Sequence, residues 1–354
     1  PGAVVPAGAV GLAFTHQGTS GRIIFNGPGD AFWDAAGGRV VLVNTTLAST
    51  LRITTDTNVL TDFDVVTNDD ASVGTLDIEA NLRGTSSIVI DAFADSITLG
   101  NFAGTGNIRL GSNVRVLNMS SFRGGTFDAA FVQTLNINGD YGAANPDVFG
   151  DVSIDLSAGG TININGTARG KISVDRDLDT LNIDAVETSL IRVGGNLGNL
   201  LTGPMSETRV SVENTLSRTV IAGNMFDSAI MLGADLGRDA DFGGTGVNAD
   251  TVSAGFATSI DVQGDFERSD ITAGFLRGPD GFFGTADDSA SPGRSLINSV
   301  TIAGSLVGSN ANSEAYRIAS TGFLGNVTIA GVQGTDQRNF AIVSTDAVPV
   351  PVQV

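Results

Sequence analysis

Short runs in which apolar and polar positions alternate recur along the whole chain. One five-residue pattern returns again and again: apolar, any, apolar, any, small. It reads IIFNG at 23–27, LRITT at 51–55, LDIEA at 76–80, ITLGN at 97–101, LNMSS at 117–121 and LNING at 135–139. It continues as ININGT from Ile162, LNIDA at 181–185, TVIAG at 219–223, IDVQG at 260–264 and VTIAG at both 300–304 and 327–331. Two apolar residues separated by one other place both side chains on one face of a strand, so each copy predicts a short strand. The small residue that closes it lets the chain turn.

The spacing of the closing residues predicts a repeat. Several neighbours stand 18 to 21 residues apart, others 27. A second element follows as SLIRVGG from Ser189, SAIMLG from Ser228 and SDITAG from Ser269. VSVEN at 210–214 and TVSAG at 251–255 read as a third, nine residues before the next copy of the first. Three short strands per repeat fit this order, and in the first half a two-strand repeat of about 19 residues fits as well. Glycine every few residues and β-branched apolar runs speak against helices. A β-sandwich also has short, regularly spaced strands, but it does not need them to resemble one another.

Taken together, these segments resemble the parallel β-helix proteins that bacteria secrete or display on the cell surface. The resemblance implies an all-β fold, a single parallel β-helix (β-solenoid), with Ile, Val and Leu inward and Asn, Asp, Thr and Ser outward. Its implied limits are an apolar N-terminal segment or cap at 1–20, a solenoid over 21–340 and an extended tail at 341–354. Asn118, Asn136, Asn163 and Asn182 occupy the same point of the first strand. Stacked repeats would bring them into a ladder of bonded amides.

Composition narrows the partners. The formal net charge is −19, which repels phosphate backbones and anionic membranes. Nucleic acid is therefore excluded as an expected partner, and no apolar run is long enough for a membrane helix. With no cysteine, thiolate metal sites and disulfides are both absent. The start, PGAVVPAGAVGLAF, has no basic residue ahead of it. It reads as the mature end of a processed precursor, and the chain also reads as a module of a larger surface protein.

Three long stretches interrupt the repeat, at 195–209, 234–250 and 275–294. If the repeats are aligned, all three leave from one corner, where β-helix proteins build binding surfaces. Within the last, GPDGFFGTADD resembles the Asp/Gly-rich calcium loops of secreted bacterial proteins. The resemblance implies calcium, a hard ion held by carboxylates and turn carbonyls. Asp280, Asp287 and Asp288 are its expected ligands, with Asp239 and Asp241 a second set; an acidic turn without metal is the alternative.

The sole histidine, His16, has no serine-elbow motif to work with, so nucleophilic catalysis is not expected. The ends offer more. Val4, Val5, Val10, Leu12 and Phe14 make the start apolar, and Val348, Val350, Val352 and Val354 alternate with proline or glutamine at the finish. Such segments suit strand addition on a sheet edge, either on the chain's own sheet or on a neighbour's. Repeated head to tail, the second arrangement makes an open homopolymer. The expectation is a non-enzymatic, self-assembling subunit of an extracellular filament, surface layer or adhesive appendage. The alternative is a monomeric β-helix that binds or degrades polysaccharide, with cell-surface polysaccharide as its partner.

Overall fold

The computed structural model describes residues 3–5, 11–68, 70–142, 152–237, 239, 242–243, 245–278, 283, 286–307, 316–332, 340–344 and 352–353. The fold is all-β, its pairing mostly parallel, and the only helix among the described residues is a single 3-10 turn at Gly246–Asn248. The chain divides into two compact units, residues 1–166 and 167–354.

In the first unit the alternation seen in the sequence becomes parallel registration of each strand on its counterpart one repeat later. Leu51 pairs with Leu76, Leu76 with Ile97, Ile97 with Leu117, Leu117 with Leu135 and Leu135 with Ile162. All six are buried. Two residues on, Ile53, Ile78, Leu99, Met119, Ile137 and Ile164 make a second buried row in the same register. A third strand position carries Val65, Ile88, Ile108, Phe127 and Ile154. Leu60, Leu82, Phe102, Phe122 and Tyr141 form another inward row. Each repeat of this unit thus has three strand positions, which resolves the two-strand alternative. The Phe122 and Tyr141 rings stack at 6.0 Å, and the buried Tyr141 hydroxyl donates to the Val152 carbonyl at 3.0 Å.

The start of the chain departs from this pattern. Ala3–Val5 pairs antiparallel with Asp30–Asp34, Leu12–His16 with Thr19–Asn26, and Thr19–Asn26 with Thr50–Thr55. The antiparallel region therefore extends well beyond the expected cap at 1–20. It closes over a cluster of Phe14, Trp33 and Phe63, with ring centroids 5.0 to 5.6 Å apart. His16 packs edge-on against Trp33, and its Nε2 lies 2.9 Å from the Thr61 carbonyl and 3.0 Å from that of Asp62. These contacts make it a packing residue of the cap.

The second unit repeats the scheme over the rows Leu181, Leu200, Thr219, Ile260, Val300 and Val327. A parallel row carries Ile172, Ile191, Val210, Ile230, Ile271, Ile318 and Ile342. Two expectations fail here. The stretch 195–209 is no loop, because Leu197–Thr202 pairs with strands on both sides and Met205–Ser206 begins the next strand position. VSVEN is not a third element either: Val210 and Val212 register on Ile191 and Val193, the strand opened by SLIRV. Glycine and proline at 195, 203 and 204 mark corners between short strands here and not a long excursion, and Gly198 lies within a strand.

Candidate functional site

A row of buried hydroxyls links successive repeats at one corner. Ser189, Thr208, Ser228 and Ser269 are all buried, and each follows a residue in the left-handed region: Thr188, Glu207, Asp227 and Arg268, with φ of 44 to 48°. The hydroxyls of Thr208, Ser228 and Ser269 donate to the carbonyl two residues back at 2.7 to 2.8 Å. Each of these hydroxyls also accepts from the backbone N–H one repeat earlier: Ser189 N to Thr208 Oγ1 at 3.4 Å, Thr208 N to Ser228 Oγ and Ser228 N to Ser269 Oγ at 3.1 Å. A buried hydroxyl is thereby satisfied while it pins a tight turn. In the first unit Ser86 does the same after its own corner, accepting from Phe63 N at 3.1 Å and donating to the Arg83 carbonyl at 2.6 Å. The signal in sequence was a Ser or Thr before an apolar run, which was legible as a strand start but not as a corner pin.

The predicted asparagine row is hydrogen-bonded where it lies in the first unit. Asn136 Nδ2 donates to Asn118 Oδ1 at 2.8 Å, and Asn163 Nδ2 donates to Asn136 Oδ1 at 2.9 Å. The Cα register places these three residues directly above one another. Asn182 lies in the second unit, where its register partner is Leu201, so the amide row does not continue from it to the next repeat.

Two insertions remain, and they leave from equivalent points. Leu232 registers on Ala273, and Gly233 and Gly274, which follow them, have φ of 76° and 74°. A Cβ on Gly233 would strike the Ser253 carbonyl and one on Gly274 the Ser295 hydroxyl, so both exits require glycine. Each insertion opens and closes with an antiparallel pair: Ala234–Asp235 with Thr251–Val252, and Phe275–Leu276 with Ser289–Ala290. They then fold back on the outer face of the strands they leave. Leu236 and Leu276 pack with the outward-facing Ala229 and Met231, and Phe242 and Val252 lie against them. That cover explains why Ala229–Leu232 and Asp270–Ala273 are buried on both faces.

Charge fixes each insertion in the same way. Arg192, only 7% exposed, takes the Asp235 carboxylate on two nitrogens at 2.5 and 3.0 Å and reaches Asp175 at 3.0 Å. Burial lowers its pKa, but Asp235 and Asp175 outweigh burial and hold it above the ordinary value. Arg209 lies 4.5 Å over the Phe242 ring. In the second insertion the polarity is reversed: Arg277 pairs with the fully buried Asp270, and Asp270 also accepts from the backbone N–H of Arg317 at 2.6 Å. Arg317 sits 4.1 Å over the buried Phe283 ring, and desolvation lowers its pKa despite the nearby Asp288.

Of the expected calcium ligands, Asp280 and Asp241 lie outside the described residues. The Asp287 carboxylate packs against Gly278, and the Gly278 N–H lies 3.4 Å from Asp288 Oδ1. Asp239 is half-buried in the first insertion, and among the described residues no three acidic or histidine side chains converge on one point.

The described terminal residues form strands within the chain itself. Val4 and Val5 register on Phe32 and Ala31, Leu12 on Ile23, and Phe14 is buried in the aromatic cluster. Val352 registers on Val327, extending the row of the last repeat. Val10, Val348, Val350 and Val354 lie outside the described residues. Compared with models of known families, with curated proteins and with solved structures, the chain matches none.

Proposed function

We propose that the chain is a parallel β-solenoid and serves as a non-enzymatic structural subunit of an extracellular filament, surface layer or adhesive appendage, its subunits joined end to end through their terminal strands. The observation that carries this reading is the pairing of Val352–Gln353 with Val327–Thr328. A two-residue ladder is weakly held, and a neighbouring copy offers the same edge. Exchange of such a strand between copies replaces like contacts with like, so it costs little. Phe340–Ser344, whose one described strand partner is Tyr316–Ser320, supplies a second edge near the same end. The buried hydroxyl corners and the amide row support the structural role, because polar side chains there are spent on cohesion between repeats.

Sedimentation velocity and electron microscopy of the full chain, beside a form lacking residues 348–354 and a Val352→Pro form, test the proposal. The full chain should form concentration-dependent linear oligomers, and both altered forms should lose them. A full chain that stays monomeric at every concentration would remove end-to-end assembly.

A further inference from the structure

Asparagine stands directly before glycine at three places in the chain, Asn26–Gly27, Asn138–Gly139 and Asn165–Gly166. Glycine leaves its amide nitrogen unscreened, so at such a step that nitrogen reaches the asparagine side-chain carbonyl carbon wherever the local backbone is free to turn. The fold holds the three steps differently. Asn165 lies inside the strand Val152–Arg169, and its Nδ2 donates to Asn138 Oδ1 at 3.2 Å. Asn138 is held by that bond and by its own backbone N–H, which donates to the Met119 carbonyl at 2.9 Å. Gly166 sits so close to Gly139 that a Cβ on it would strike the Gly139 carbonyl carbon. These two steps therefore brace each other across neighbouring repeats.

Asn26 has no such brace. It is the exposed last residue of Thr19–Asn26, and among the described residues neither its side chain nor the Gly27 N–H has a hydrogen-bond partner. Gly27 has φ of 107°, and a Cβ there would strike the Ala48 carbonyl, so the fold itself requires glycine after Asn26. We propose that Asn26 is a site of self-modification, converting to aspartate and isoaspartate ahead of Asn138 and Asn165. The Gly27 nitrogen attacks the Asn26 side-chain carbonyl carbon. A new C–N bond closes a cyclic imide, the Cγ–Nδ2 bond breaks, and Nδ2 leaves as ammonia with the Gly27 amide proton. Water then opens the imide: attack at the side-chain carbonyl gives aspartate, and attack at the main-chain carbonyl gives isoaspartate. Water enters, ammonia leaves, and no oxidant or cofactor takes part. Either product adds a carboxylate, and isoaspartate also lengthens the main chain by a carbon. The change falls where Asn26 registers on Thr50 and the Pro28 carbonyl accepts from Ser49 Oγ at 2.6 Å, at a corner of the antiparallel cap.

The whole chain, kept folded in mildly alkaline buffer beside a sample held in urea, tests the proposal. Aliquots taken over time are digested at low pH, and the three peptides are quantified by mass spectrometry after chromatography that separates aspartate from isoaspartate. In the folded chain Asn26 should convert at least about tenfold faster than Asn138 or Asn165, and the three rates should converge in urea, where no structure protects any of them. Asn26 converting no faster than the other two in the folded chain would overturn the proposal. So would an Asn26 that stays intact there while all three convert in urea.

Discussion

Ser228 and Ser269 are 41 residues apart in the chain, yet the Ser228 N–H donates to Ser269 Oγ at 3.1 Å. The 19-residue partner on the other side, Ser189 to Thr208, makes the same bond at 3.4 Å. An excursion of some 20 extra residues therefore leaves the corner geometry intact. The corner is fixed by the hydroxyl and the left-handed residue before it, and the insertion is accommodated elsewhere.

Ser269→Ala should accordingly be costly. It leaves the buried Ser228 N–H without its acceptor, a loss of about 1–3 kcal/mol. Ser269→Thr should keep most of the stability, and Ser217→Ala, at an exposed position, should stay within about 0.5 kcal/mol of the parent. Urea denaturation of the three forms checks this.

In the amide row, Asn136 both donates to Asn118 and accepts from Asn163. Asn136→Asp removes the donor and places a charge in a partly buried row, so it should destabilise by about 1–3 kcal/mol. Asn165→Asp, at an exposed bond of 3.2 Å to Asn138, should cost clearly less. The same denaturation experiment separates them.

Much of the fold was legible in the sequence because period-2 alternation with a closing small residue specifies a strand and its turn. The rows through Leu117, Leu135 and Ile162 fall where the motif places them. Less legible was the identity of the excursions. Gly195, Gly203 and Pro204 mark corners, whereas Gly233 and Gly274 mark true exits, and composition alone does not separate the two. The antiparallel cap was also hidden, since a strand run reads alike in either direction. The insertion clamps were out of reach for a further reason: Arg192 and Asp235 are 43 residues apart and meet only because the insertion folds back.

Asp235→Asn weakens the hold of the first insertion on Arg192. Limited proteolysis within 236–250 should then speed up several-fold while the repeat core stays resistant. Arg192→Met is more severe, because it leaves Asp235 and Asp175 without their shared cation, and should cost about 3–5 kcal/mol. Cleavage rates and denaturation midpoints of the two variants, read side by side, distinguish local release from global loss.

Glu213 gives a pH signature. Burial, reinforced by the nearby Asp235, raises its pKa above the ordinary value, against the opposing effect of Arg192. A carboxyl whose pKa is raised in the folded state binds its proton more tightly there than when unfolded. Its unfavourable contribution is absent below the unfolded pKa, grows as pH rises from there to the folded pKa, and is fully present above it. Glu213→Gln should therefore gain stability relative to the parent at neutral pH, with the difference shrinking toward about pH 4. A pH series of denaturation curves for both forms checks the sign.

Parallel registration continues unbroken across the long insertions, and paired cysteines test it directly. The chain has none of its own, and Val220 registers on Asp261 across the first insertion. Neighbouring parallel strands bring Cα atoms within the range a disulfide spans. The double variant Val220→Cys, Asp261→Cys should oxidise readily to a single intramolecular disulfide, while Val220→Cys with Gln263→Cys, two residues out of register, should not. Equal oxidation of both pairs, or of neither, would contradict the registration on which the rest depends.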